Sequence, residues 1–303
     1  MLRRESSIVK FKELKAGAGA WLLGLLLSIG AQAQPAQPEL TLGFSEGVAT
    51  ELTQSQLTMK YQSLADIISR SLGRRVRAVH VKGFDDLEKG LRARQFDFAV
   101  ARPTDYMARG LRQYGYQYVA SGSPDSRCLI ITPKGSPIKS LKDIVGKRIV
   151  LPVRSAYMTR FCAAELRDQG IDLYKQNLQY VQEQSLIGMH LEANLADVGV
   201  GVGSVTRMAQ RWEEMGHTVL HRSVSQPYFP LIALNKFTPA QIANIRKLLL
   251  DMAGNPADQA VLKTLGIEGF NADGEQRLQR LLDWLGDAQT AQATPAAAPG
   301  SAR

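Results

Sequence analysis

Between Glu39 and Leu285 the apolar positions fall into two alternating rhythms. Glu39–Phe44 alternates as a strand does. Leu57, Tyr61, Leu64, Ile68 and Leu72 then recur every three or four residues, the spacing of one helix face, and Gly73 closes that helix. The same exchange repeats: a strand over Arg75–Val81, a helix striped by Phe84, Leu87 and Leu91, a strand over Phe96–Val100, a short helix from Pro103, and a strand over Tyr116–Ala120. This order predicts parallel strands joined by crossover helices. A second series begins with a strand at Cys128–Thr132. Ser140-Leu141-Lys142-Asp143 forms a capping box for a short helix that Gly146 ends, and Arg148–Leu151 is a strand. Met158, Cys162 and Leu166 stripe a helix. Strands over Leu178–Val181, Asp197–Val202 and Thr218–His221 enclose helices at Leu186–Leu195 and around Trp212. The last part differs: a strand over Pro230–Leu234, then three helices. The first of these starts at Thr238-Pro239-Ala240-Gln241, with an N-cap, proline at the first position and glutamine three residues after the cap.

The two ends break both rhythms. Arg3, Arg4, Lys10, Lys12 and Lys15 precede an uncharged stretch from Ala16 to Gly30, and Ala31-Gln32-Ala33 follows. A basic leader, an apolar centre and a small-x-small site make a secretory signal peptide over 1–33, cleaved near Ala33, and place the mature chain in the periplasm. The apolar run is shorter than the roughly 20 residues that a membrane span needs. At the other end, residues 288–303 carry little apolar surface beyond alanine and are expected to form a disordered Ala/Pro-rich tail.

Charge and cysteines narrow the picture only slightly. The net charge of +9 is scattered rather than striped and part of it lies in the leader. It reads as a solvated cationic surface, with no nucleic acid as partner. Cys128 and Cys162 are the only cysteines. In an oxidising compartment they form either a disulfide or two separately buried thiols. The histidines have no acidic or thiol neighbours at ligand spacing, so no metal and no cofactor is expected. No nucleophile elbow, P-loop or Cys–His signature occurs, which argues against an enzyme. The Gly199–Gly203 run lies within a strand and not in the strand-to-helix turn that a dinucleotide loop requires.

Several segments resemble the type 2 periplasmic binding proteins, and among them the phosphate/phosphonate-type substrate-binding proteins of ABC transporters. They are Tyr61-Gln62-Ser63-Leu64-Ala65-Asp66, the run Leu87–Ala99, Pro103-Thr104-Asp105-Tyr106, and Ser136–Asp143 with Gly146-Lys147-Arg148. The resemblance covers about 40–285. It implies a two-lobed α/β fold in which each lobe is a mainly parallel sheet flanked by helices. Lobe one would be 39–124 plus 228–287 and lobe two 125–227, with a hinge of two crossover segments near Ser121–Arg127 and Ser225–Pro230. It implies a monomer that captures a small ligand for an ABC permease. The same fold also serves as a sensing module for a membrane partner.

On this resemblance the ligand-binding residues would be Arg102, Tyr106, Arg154, Ser155, Tyr157, Ser185 and Phe229, all near strand ends. Arg102 and Arg154 would approach an anion from opposite lobes, with Ser155 opening a helix between them; equally, both arginines could be solvated or paired and Ser155 a simple cap. Ser185 is either ligand-facing or an N-cap. The family's hydroxyl-rich turn is reduced to Ser155-Ala156-Tyr157-Met158, and Phe229 stands where a carboxylate usually precedes the returning strand. A cleft with fewer donors and more aromatic surface suits an organic carboxylate better than phosphate or an aminophosphonate.

Overall fold

A computed structural model describes residues 38–46 and 52–286; the leader and the tail lie outside them. The first series comprises β1 (Leu40–Ser45), α1 (Gln54–Leu72), β2 (Val76–His80), α2 (Phe84–Arg92), β3 (Phe98–Ala101), α3 (Thr104–Gln113) and β4 (Tyr116–Thr132). The second comprises β5 (Arg148–Pro152), α4 (Tyr157–Asp168), β6 (Asn177–Val181), α5 (Leu186–Glu192), β7 (Val198–Ser204), α6 (Val205–Glu214) and β8 (Thr218–Arg222). The chain then returns through β9 (Gln226–Leu234) and ends with α7 (Pro239–Asp251), α8 (Pro256–Leu265), β10 (Gly269–Asn271) and α9 (Glu275–Leu285).

The helices form where local chemistry supports them. Thr53 caps α1, its side chain accepting from Gln56 N while the Gln56 side chain accepts from Thr53 N, and Gly73 ends the helix at φ 63°. Thr238 and Gln241 repeat that reciprocal cap on α7. The stripe residues Leu57, Tyr61, Leu64 and Ile68 of α1 are all buried. Each fully buried side chain of this size contributes about 1.5–3 kcal/mol.

The strands run in the order β2-β1-β3-β9-β4-β7-β5-β6, and β8 and β10 both pair with β4. β1 is parallel to β2 and β3, and β5 to β6 and β7, as crossover helices require. The centre departs from the mainly parallel expectation. β9 lies antiparallel between β3 and β4, and β7 and β8 are antiparallel to β4. The strand that separates β3 from β4 arrives from the far end of the chain, so no local pattern announces it. A second difference concerns the crossover near Ser121–Arg127, expected between two short strands. Instead β4 is one 17-residue strand. Its first part pairs with β9 and β10 and its last part with β7 and β8, so ladder hydrogen bonds replace a loop.

Close packing fixes the helices on the sheet. Phe96 lies over Gly43 of β1 and Gly90 of α2, so tightly that a Cβ at either position would fall 2.4 Å from its ring. Cys128 of β4 and Cys162 of α4 are joined at a Cα separation of 5.3 Å, inside the usual disulfide range. α4 also meets α9: Trp284 lies edge-on to Phe161 at 5.3 Å, and its indole N–H donates to Asp168 at 2.7 Å. Arg277 of α9 pairs with Asp125 in mid-β4 and donates to Ser225 just before β9 at 3.3 Å.

Candidate functional site

Ligands of open α/β sheets sit at the carboxyl ends of strands, where backbone groups and helix starts point outward. At this edge Glu46 directly follows β1 and Arg102 directly follows β3, and the Arg102 N–H donates to Ser45 O at 3.0 Å. α1 lays Lys60 and Tyr61 across both strand ends. The Glu46 carboxylate accepts from Lys60 Nζ at 2.5 Å, from the Tyr61 hydroxyl at 2.9 Å and from Arg102 Nε. Arg102 Nη2 also donates to Leu265 O at 3.1 Å, and its guanidinium lies 5.3 Å from the Tyr228 ring and 5.8 Å from that of Phe229. Tyr61 stacks on Phe44 at 4.0 Å, and His80 stacks on the same ring at 5.2 Å.

The charges in this cluster shape one another. Burial pushes the Glu46 carboxyl up, but Arg102 and Lys60 outweigh it and hold the group below its ordinary value. Burial and Arg102 lower the Lys60 ammonium, with Glu46 opposing. Burial works against the Arg102 charge as well, yet Glu46 more than offsets it, so the guanidinium stays protonated. Burial, reinforced by Glu46, keeps the Tyr61 hydroxyl protonated. Burial also lowers His80 and favours its neutral form. Within the described residues, two cations therefore converge on one carboxylate.

A second group forms where α3 meets α4. Arg160 pairs with Asp105 at 2.8 Å, and Arg109 approaches the same carboxylate at 3.5 Å. Thr104 donates to Pro227 O at 3.3 Å. Tyr157 opens α4 and is buried. Burial pushes that hydroxyl's pKa far up and Asp105 adds to the shift, against Thr104 and Arg160.

The residues singled out from the sequence are distributed unevenly. Arg102 and Phe229 touch. Phe229 is fully buried, however, and adopts φ 55°, so it supports the arginine from below and is no exposed wall. Tyr157 faces α3. Tyr106 is half-buried, stacked on Phe84 at 5.6 Å and lying under Arg109 at 4.8 Å. Arg154 is exposed and stacks on Tyr174 at 4.1 Å. Ser155 does not begin a helix: α4 starts at Tyr157 with Ala156 as N-cap, and Ser155 is exposed one residue before that cap. The turn out of β5 is one residue longer than the hydroxyl pattern suggested. Ser185 is the exposed N-cap residue of α5, but its hydroxyl donates to Glu183 at 3.3 Å and does not cap the helix.

Sequence reasoning missed Glu46, Lys60, Tyr61 and Tyr228. Glu46 was within reach of the strand-end rule that flagged Arg102. Tyr61 was counted only as part of an apolar stripe, which hid its hydroxyl. A pocket of about 220 Å³ lined by Thr132, Ile138, Thr218 and Leu220 lies at the far end of β4, away from these groups. No group of His, Cys, Asp or Glu among the described residues is placed to hold a metal, and no described helix is long and apolar enough to cross a membrane.

Solved structures share this architecture. XAC2383 from Xanthomonas citri, bound to chloride, matches at a TM-score of 0.64 and 18% identity, over 84% of this chain and 99% of its own. PhnD1 from Prochlorococcus marinus, in complex with methylphosphonate, matches at 0.61 and 11% identity, over 83% and 98%. A binding protein component of an ABC phosphonate transporter from Pseudomonas aeruginosa matches at 0.57 and 16% identity, over 86% and 91%. No curated protein matches the chain. The shared fold is the two-lobed α/β architecture of the type 2 periplasmic binding proteins. Residues 47–276 match the family described as ABC transporter, phosphonate, periplasmic substrate-binding protein, and the chain belongs to that family. Its function is the capture of a small molecule for an ABC-type importer.

Proposed function

We propose that this chain binds a small organic anion in a cleft between two lobes, 39–124 plus 228–287 and 125–227, and delivers it to an ABC permease. The observation that carries the reading is the convergence of Lys60 and Arg102 on the single carboxylate of Glu46 at the carboxyl edge of β1 and β3. A desolvated site with surplus positive charge is completed by an anion. The Tyr228 ring beside Arg102 offers an apolar surface for the ligand's body. Binding partners named for similar structures are also anionic: methylphosphonate for PhnD1, chloride and ATP for XAC2383, and aliphatic sulphonate for SsuA from Escherichia coli. β4, which pairs with strands of both series, and β9 beside it form the hinge, and closure about them is the expected motion. The leader directs cleavage near Ala33, so the working form begins near Gln34 in the periplasm.

A thermal-shift screen of the exported protein against carboxylates, sulfonates, phosphonates and cationic controls tests this reading. An anion at about 100 times its dissociation constant should add about 2.7 kcal/mol. Stabilisation by cations alone, with no response to any anion, refutes it.

A further inference from the structure

The Glu46 carboxylate is fully engaged inside the protein. One oxygen serves Lys60 and the Tyr61 hydroxyl, and the other serves Arg102. Its side chain is 7% exposed and that of Lys60 10%, whereas Arg102 is 26% exposed. Arg102 is thus the member that reaches toward solvent. An arginine carries five N–H donors; here one is directed to Glu46 and another to Leu265 O.

Resting on the anion reading above, we propose that Glu46 is a specificity-determining residue: it neutralises one of the two cations in advance and limits the ligand to a single negative charge. A carboxylate or sulfonate brings the cluster to neutrality. A doubly charged phosphonate leaves one negative charge uncompensated in a largely desolvated site, which is disfavoured. Among the described residues, the other titratable neighbours do not change the count. Tyr61 is kept protonated and His80 neutral, both by burial, and Lys82 beside His80 is exposed and screened by solvent. A purely structural Glu46 would set stability without setting the ligand's charge.

Calorimetric titration in mildly alkaline buffer separates these roles, because an aryl phosphonate there carries two charges and a carboxylate or sulfonate one. The probes are benzoate, benzenesulfonate and phenylphosphonate, which share an apolar ring suited to Tyr228. The unmodified protein should favour the monoanions by at least about tenfold, or about 1.4 kcal/mol. Glu46→Gln should shift the ratio toward phenylphosphonate by at least about tenfold. Lys60→Met leaves a neutral Glu46–Arg102 pair and should weaken the monoanions; should Glu46→Gln fail to fold, this variant decides. A preference of the unmodified protein for phenylphosphonate, a ratio unmoved by Glu46→Gln, or monoanion binding unmoved by Lys60→Met overturns the assignment. If no anion of either charge binds, the anion reading of the cleft falls, and this inference with it.

Discussion

Phe229 offers a test in which two effects of opposite sign can be separated. Its side chain is fully buried, with its ring 5.7 Å from that of Tyr61 and 6.3 Å from that of Tyr228, and its backbone lies in the left-handed region at φ 55°. Truncating a buried phenylalanine to alanine costs about 3–5 kcal/mol through lost transfer energy and the cavity left behind. Alanine inherits the left-handed backbone, which costs an L-residue about 1–2 kcal/mol. Glycine escapes that cost but loses about 0.5–1 kcal/mol of unfolded-state entropy. Phe229→Gly should therefore be as stable as Phe229→Ala, or more stable by up to about 1.5 kcal/mol, which reverses the usual order in regular structure. Urea denaturation of the two variants and the parent, read from midpoints at constant slope, measures both steps. Phe229→Ala within about 1 kcal/mol of the parent would mean that the ring is not core. Phe229→Gly less stable than Phe229→Ala by about 1 kcal/mol or more would contradict the backbone argument. Phe229→Asp, which restores a carboxylate before the returning strand, should fail to fold, because it places that carboxylate at a fully buried position in a domain stabilised by only about 5–15 kcal/mol.

Arg102→Ala should weaken anion binding by about 1.5–3 kcal/mol, the range for a hydrogen bond to a charged group, and titration calorimetry reads it; unchanged affinity would move the ligand away from this edge. The Cys128–Cys162 link spans 34 residues, so its loop-closure contribution is about 4 kcal/mol; denaturation of Cys128→Ala/Cys162→Ala should lose most of this, and a loss under about 1 kcal/mol would argue against the link. Burial lowers the pKa of His217 below the ordinary 6.5, with Glu192 opposing, so the unfolded chain takes up its proton first. The stability contributed by neutral His217 is present above that ordinary value and lost as pH falls below it. Urea midpoints should drop on acidification through that range, and His217→Gln should flatten the drop; an unaltered slope in the variant would refute this origin.

What the sequence determined by itself was mostly local. The cap at Thr53 and Gln56 and that at Thr238 and Gln241 join residues three apart, and the α1 stripe repeats within one helix, so each is written wherever the helix is written. The direction of β1, β2 and β3 followed equally from the crossover helices between them. The motifs of the binding-protein family were legible for the same reason, since each occupies one short segment.

Only the tertiary structure decided the candidate site. Glu46 lies 14 residues from Lys60 and 56 from Arg102 along the chain, and the three meet because α1 crosses the carboxyl ends of β1 and β3. The insertion of β9 beside β3 brings Tyr228 and Phe229 to Arg102 from more than a hundred residues away, and the positive φ of Phe229 turns its ring into the core. Arg154 and Ser155 carried the right chemistry on a strand end, but Tyr174 takes the arginine, and α4 starts two residues after the serine. Periodicity reports which face of an element is buried. Which charged groups share that burial depends on how the elements cross, and that is settled by packing over the whole sheet.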